Sequence, residues 1–376
     1  MIPALHPPAS NAMPVGEIDT PALIVDLNAF DANLALMAER IATVPNVRLR
    51  AHAKTHKCPA IGRRQMELGA IGVCCQKVGE AQAMVAGGID NVLVTNQIVG
   101  QRKIACLAAL AKNAWIGVCV DHADNVEALS TGAVAAKTTL HVLVEINVGA
   151  NRCGVDSPQA ALDLAQRIQA APGLRFAGLQ AYQGSAQHKR AFAEREAAIA
   201  EAVRRTGETR TRLAQAAIDC PIVGGAGTGT FEFELNSGVY NELQAGSYIF
   251  MDADYGHNLD AHGQPEAQFK HSLFIYTTVM STAAGHYVVD AGHKAHSADA
   301  GPPLVADFSN ARYDRPSDDH GIITFTGDGP CPALGDKLRL IPGHCDPTVN
   351  LYDWLVGVRN DRVECVWQVT ARGATR

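Results

Sequence analysis

Residues 47–57, VRLRAHAKTHK, hold the densest set of groups able to do chemistry. On a strand, successive side chains point to opposite faces. One face of this stretch carries Val47, Leu49, Ala51 and Ala53, and the other Arg48, Arg50, His52 and Lys54. A barrel strand can carry such a cationic row if its polar face meets a site at the barrel mouth. Lys54 then stands at the C-terminal end, where a (β/α)8 barrel keeps its chemistry. A lysine desolvated near other cations gives up its proton more easily, which suits Schiff-base chemistry. Lys57 lies past the strand and is the weaker candidate. The same stretch also fits a solvated edge strand with scattered basic residues.

Three further stretches carry polar groups in suggestive settings. The run GGAGTGT at 224–230 follows a short apolar segment. Its backbone N–H groups can cradle an anion such as phosphate, with Gly227, Thr228, Gly229 and Thr230 at the turn and two hydroxyls to add. Gly246, Ser247 and Tyr248 form a second small-residue turn. The run NVGANRCGV at 147–155 places Arg152 among glycines after a strand, where it can bind an anionic group bidentately or pair within its loop. Gln76 and Tyr182 end other strands at the same rim. In PGHCDPTVN, His344 and Asp346 are two apart and share a face on an extended segment. An imidazole and a carboxylate together suit Mg²⁺ or Mn²⁺ better than a thiolate-preferring ion. By itself the pattern also fits an ordinary exposed loop.

Elements able to position these groups follow from the apolar pattern. Strands are expected at 23–26, 47–54, 72–75, 92–95, 115–120, 140–147, 174–182 and 221–223, with another at 242–245. Helices are expected at 28–42, 60–68, 79–87, 101–111, 124–130, 158–170 and 189–217. Strand and helix alternating in this way point to a parallel sheet, and eight strands up to Val223 favour a closed barrel. No GxGxxG follows the first strand, which disfavours a dinucleotide-binding sheet. Beyond residue 260 the rhythm becomes strand after strand. The expected architecture is α/β: a (β/α)8 TIM-type barrel over residues 20–260, with a β-rich domain built from 261–376 plus the arm 1–19.

Composition bounds the partners. The chain has 376 residues, 47% hydrophobic and 19% charged, with a net charge of −6. That balance implies no general affinity for nucleic acid or an anionic membrane. No apolar run is long enough to span a bilayer. The N-terminus does not read as a secretory signal. Ten cysteines occur without a CxxC pair, so a reducing cytoplasm is the expected home.

Together, HAKTHK, GVCCQKVGEA, VLVTNQ, EINVGANRCGV, LQAYQGSAQH, GGAGTGT, NELQAGSYIFMDADYG and PGHCDPTVNLYDW resemble the D-threonine aldolase and D-serine dehydratase-like family. These are fold type III pyridoxal phosphate enzymes related to alanine racemase. The resemblance covers residues 19–372. It implies an alanine racemase-like barrel, pyridoxal 5'-phosphate, a divalent metal (Mg²⁺, Mn²⁺ or Co²⁺) and a site at a homodimer interface. It places the Schiff base on Lys54, and Arg152 beside the cofactor's phenolic oxygen. It puts Tyr182 near the pyridine ring, the two glycine turns at the phosphate, and His344 and Asp346 on the metal. The implied activity is retro-aldol cleavage of a D-3-hydroxy amino acid, with His188 or a metal-bound water as base. Members acting on 3-hydroxy-D-aspartate, giving glycine and glyoxylate, lie nearest in resemblance; D-threonine is the other substrate. A carboxylated substrate needs a cation, for which Lys294, Arg312 and Arg315 are candidates. Dehydratase members tend to carry HxC where this chain has HxD, which ranks elimination second. A non-catalytic cofactor carrier would leave the second domain without a role.

Overall fold

A computed structural model describes residues 6–283, 285–327, 329 and 331–376; residues 1–5 of the expected arm lie outside them. The runs Trp115–Val120, Leu140–Glu145 and Leu174–Gln180 are almost wholly buried. Such strands need neighbours on both edges and cover on both faces, which a parallel sheet ringed by helices supplies. The parallel order runs from Arg48–Leu49 through Glu242–Leu243, Ile222–Gly225, Leu174–Gln180, Leu140–Glu145, Trp115–Val120, Asn91–Gln97 and Val73–Cys75 to Ala51–His52. The first and last segments are one strand divided at Arg50. Arg50 N–H still donates to Leu243 O at 2.9 Å, and His52 N–H to Ala245 O at 3.2 Å, while Ala53 N–H bonds Cys74 O at 2.8 Å. The cationic strand is therefore the seam that closes an eight-stranded barrel.

The strand at Ala22–Asp26 does not open the barrel, as the sequence rhythm suggests. It pairs antiparallel with Leu273–Ala283 and parallel with Trp354–Arg359 in a second sheet of nine strands. Glu242–Leu243 takes its place as the eighth barrel strand. Both are short apolar runs, and periodicity does not say which sheet a run joins. The second sheet also contains Leu304–Val305, Ala311–Pro316 and Trp354–Arg359, three strands the pattern did not reveal. The arm packs on this sheet. Ala12 N–H donates to Val363 O at 2.8 Å, Val363 N–H returns to Met13 O at 2.9 Å, and Ile18 is buried beside Phe274 and Val356. No described helix is long and apolar enough to cross a membrane.

Inside the barrel, Arg50 is 2% exposed. Its Nε and Nη2 meet the two Glu242 oxygens at 2.8 and 3.1 Å, Nη1 reaches Asn91 Oδ1, and its guanidinium lies 4.7 Å from the centre of the Trp115 ring. Removing one partner of a buried ion pair strands the other charge, at about 3–5 kcal/mol. Glu242→Ala should therefore lower the unfolding free energy by about that amount. Urea denaturation reads this; a loss below about 1 kcal/mol would contradict it.

Candidate active site

Lys54, two residues past the seam, lines a cavity of about 490 Å³ at the C-terminal ends of the barrel strands. Its Nζ faces Asp346 Oδ2 at 2.8 Å. The Asp346 carboxylate raises the Lys54 pKa well above its ordinary value, against the opposing effect of burial. Expectation ran the other way, because neighbouring cations were the charges visible along the strand. The decisive neighbour is an anion from the other domain, about 290 residues away in sequence. Burial pushes the Asp346 carboxyl up, but Lys54 and His344 outweigh it and hold the group well below the usual carboxylate range. Thr55 Oγ1 donates to Asp346 Oδ1 at 2.7 Å. Lys57 turns away: its Nζ is buried on Glu80 Oε1 at 2.6 Å.

His52 forms part of the cavity floor. Its Nδ1 accepts from the Lys54 N–H at 3.3 Å, which leaves the proton on Nε2 to donate to Thr95 Oγ1 at 3.2 Å. Burial, then Lys54, hold its pKa far below the usual value, so the ring is neutral. Gln76 lies against the same two groups, 3.0 Å from His52 Nε2 and 3.1 Å from Thr95 Oγ1. Gln180 and Gln244 exchange two amide hydrogen bonds, at 2.8 and 3.0 Å, across the floor. Arg152 stands 5.6 Å from the centre of the Tyr182 ring, a cation over a π face. Gly246 packs so tightly that a Cβ would stand 2.7 Å from His52 O. At Gly227 a Cβ would meet Gln187 Oε1 at 2.5 Å. Neither turn could approach its neighbours with a side chain.

Of the expected residues, Lys54, Gln76, Arg152, Tyr182, His188, Gly227, Thr228, Gly246 and Ser247 line the cavity together. Gly229, Thr230 and Tyr248 lie outside that lining. Gly229 N–H is taken by Gln187 Oε1 at 2.9 Å, Thr230 Oγ1 donates to Glu234 Oε1 at 3.0 Å, and the Tyr248 hydroxyl is buried on Gln65. The glycine run thus turns one face to the cavity and the other to the interior. His344 and Asp346 are not on an extended segment. His344 caps the short helix Cys345–Val349, which carries Asp346 in its first turn. His344 Nδ1 meets Asp299 Oδ2 at 2.8 Å. Among the described residues no group of three or more His, Cys, Asp or Glu is set to hold an ion. Lys294 and Arg312 are exposed and paired with Asp319 and Asp314, and Arg315 is exposed; none of the three lines this cavity. Sequence reasoning missed Thr95, Gln180, Gln244 and Tyr255. Thr95 and Gln180 could have been found from their place near barrel-strand C-termini.

Residues 25–254 match the alanine racemase N-terminal domain, and residues 272–358 a serine dehydratase domain. The chain belongs to the alanine racemase-like family. It lies in the branch of D-threonine aldolases and D-serine dehydratase-like proteins. It is 46% identical to a D-threonine aldolase from Arthrobacter sp. over 374 residues, covering 99% of this chain and 98% of that one. It is 47% identical to the 3-hydroxy-D-aspartate aldolase of Paracoccus denitrificans (strain Pd 1222) over 371 residues, covering 97% and 95%. The crystal structure of D-threonine aldolase from Filomicrobium marinum superposes with a TM-score of 0.95 at 50% identity, covering 98% of this chain and 100% of that one.

Enzymes of the alanine racemase-like family depend on pyridoxal phosphate, and the cavity fits that group. Thr228 Oγ1 is buried on the lining without a hydrogen-bond partner, an open donor for a phosphate oxygen. The lining carries Lys54 and Arg152 and no Asp or Glu side chain. A two-ligand metal site fits as well. Asp346 Oδ2 is buried and makes no aligned hydrogen bond despite its proximity to Lys54. His344 is braced by a carboxylate on its other nitrogen, as metal-bound histidines usually are.

Behind the glycine turn, Glu234 is fully buried, and burial pushes its carboxyl up to about 8. An unfolded glutamate ionises above about 4.3, so the folded chain keeps a proton that the unfolded chain has released. That linkage makes stability fall as pH rises from about 4 to about 8. Glu234→Gln removes it. The variant's unfolding free energy relative to the parent should rise across that window, by on the order of a few kcal/mol, read as a Tm difference that grows with pH. A gain independent of pH would refute the assignment.

Proposed function

We propose that this chain is a pyridoxal phosphate- and divalent metal-dependent aldolase. It would cleave the Cα–Cβ bond of D-3-hydroxy amino acids, with 3-hydroxy-D-aspartate, giving glycine and glyoxylate, as preferred substrate. The observation that carries the reading is Lys54 set against Asp346 in a cation-lined barrel mouth beside His344. The likeness to aldolases at 46–47% identity over nearly the whole chain supports it. The carboxylated substrate rests on likeness to the 3-hydroxy-D-aspartate aldolases.

When bound, pyridoxal phosphate supplies an electron sink for the pair left at Cα. Lys54 supplies the amine that would attach it. Thr228 and the turns at Gly227 and Gly246–Ser247 would hold its phosphate, and Arg152 and Tyr182 would flank it. His344 and Asp346 would hold Mg²⁺, Mn²⁺ or Co²⁺, a Lewis acid toward the β-hydroxyl. His188 takes the hydroxyl proton, the oxygen pair closes a carbonyl, and the Cα–Cβ pair stays on Cα. Protonation there releases glycine. A carboxylate rather than a thiolate at position 346 places β-elimination second. We also propose a cytoplasmic homodimer. Ten unpaired cysteines support the reducing compartment, and the homodimer rests on family likeness.

Two measurements test this reading. Lys54→Ala should lose both turnover and the absorbance band at roughly 410–430 nm. Retention of both would reject Lys54 as the attachment point. In the parent enzyme, kcat/KM for 3-hydroxy-D-aspartate should exceed that for D-threonine, and dialysis against a chelator should abolish cleavage until Mg²⁺ or Mn²⁺ is restored. A tenfold preference for D-threonine, about 1.4 kcal/mol, would overturn the carboxylated substrate and leave the aldolase standing. A 2-oxo acid plus ammonia as products would overturn the aldolase.

A further inference from the structure

His188 ends the short helix Gly184–His188 on the cavity rim, with its side chain 62% exposed. An exposed imidazole would ordinarily sample several rotamers. Its flanks anchor the backbone on either side of it. Gln187 is buried: Nε2 donates to Thr230 Oγ1 at 2.8 Å, Oε1 accepts from Gly229 N–H at 2.9 Å, and its carbonyl accepts from Asn258 Nδ2 at 3.2 Å. On the other side Arg190 donates to Asp254 O at 2.7 Å and to Asn258 Oδ1 at 2.9 Å. What remains is rotation of the side chain.

Asp254 constrains that rotation. It is 7% exposed, and its Oδ2 stands 2.9 Å from His188 Nδ1, while Oδ1 is held by Arg190. A carboxylate can only accept, so Nδ1 carries a proton, and in the neutral ring the lone pair is then on Nε2. Its backbone is bonded to the segment just before His344. Asp254 N–H donates to Gly343 O at 3.1 Å, and Ala253 N–H to Pro342 O at 3.0 Å. Two residues earlier, Asp252 Oδ2 accepts from Cys345 N–H at 2.9 Å. One short segment, residues 252–254, is thus bonded both to the imidazole on the rim and to the loop carrying His344 and Asp346.

We infer that Asp254 is a positioning residue for proton transfer: its carboxylate fixes the tautomer and orientation of His188, and its backbone sets that imidazole at a constant span from the His344–Asp346 loop. The inference rests on the reading in which His188 takes the hydroxyl proton. Neither end of the arrangement suffices alone. A base held only by its own helix could drift from the loop, and a loop held only to the barrel would carry no record of the base. A misplacement of about 1 Å at such a group can cost on the order of a hundredfold in rate.

The test is a double-mutant cycle in the holoenzyme. An amide at position 254 can donate to Nδ1 as readily as accept from it, so Asp254→Asn releases the tautomer and keeps the shape. It should lower kcat at least about tenfold, with KM within about threefold and the cofactor absorbance unchanged. His188→Asn should cost about 10²–10⁴-fold. In that background Asp254→Asn should cost no more than about threefold further, because the group it positions is gone. Equal losses from Asp254→Asn in both backgrounds would make it merely structural and overturn the inference, as would full activity of either single variant. A second readout does not use turnover. Amide hydrogen exchange over residues 184–190 should quicken several-fold in Asp254→Asn, and unchanged exchange would reject the tether even if the parent proved not to be an aldolase. Should Asp254→Asn fail to fold, Asp254→Glu keeps the charge and displaces the carboxylate; parental kcat in that variant would equally overturn the inference.

Discussion

A row of basic side chains facing inward along one strand has to be compensated before a barrel can close over it. Burying a lone cation costs several kcal/mol even after relaxation. Arg48 stays exposed, and the other three members of the row are resolved differently. Arg50 takes both oxygens of Glu242, which stands on the strand that completes the closure. His52 stays neutral through burial and the adjacent Lys54 charge. Lys54 meets Asp346, which the second domain supplies. The strand that closes the barrel thus also presents Lys54 to an anion of the second domain.

That pairing puts the candidate site between the barrel and the second sheet. The barrel provides the lysine, the arginine and the glycine turns; the second sheet provides the imidazole and carboxylate of the short helix at 345–349. Backbone bonds from 253–254 to 342–343 lock the two contributions together. Such ties suit groups that must hold their mutual geometry through bond cleavage.

The second sheet was partly hidden in the sequence for a physical reason. Strands such as Ala22–Asp26 are short apolar runs, alike in both sheets. What assigns them is the edge they pair with, set by contacts more than 240 residues away. The glycine run was read as a single cradle, yet one face of it is spoken for by Gln187 and Glu234. Those partners are distant in sequence from residues 227–230 or carry no local mark of their role.

The sequence by itself determined the barrel's alternation, the place of Lys54 past a cationic strand, the glycine turns and the arginine loop. These are local patterns of period, size and charge, which a short window contains. The family resemblance also lay in contiguous motifs. Tertiary structure alone decided which strand closed the barrel, that Lys54 faces an anion rather than cations, and that the pKa of Lys54 therefore rises rather than falls. It alone brought Asp254 to His188. Each of these depends on the distance between groups far apart along the chain, and electrostatic and hydrogen-bond energies depend on that distance, not on sequence order.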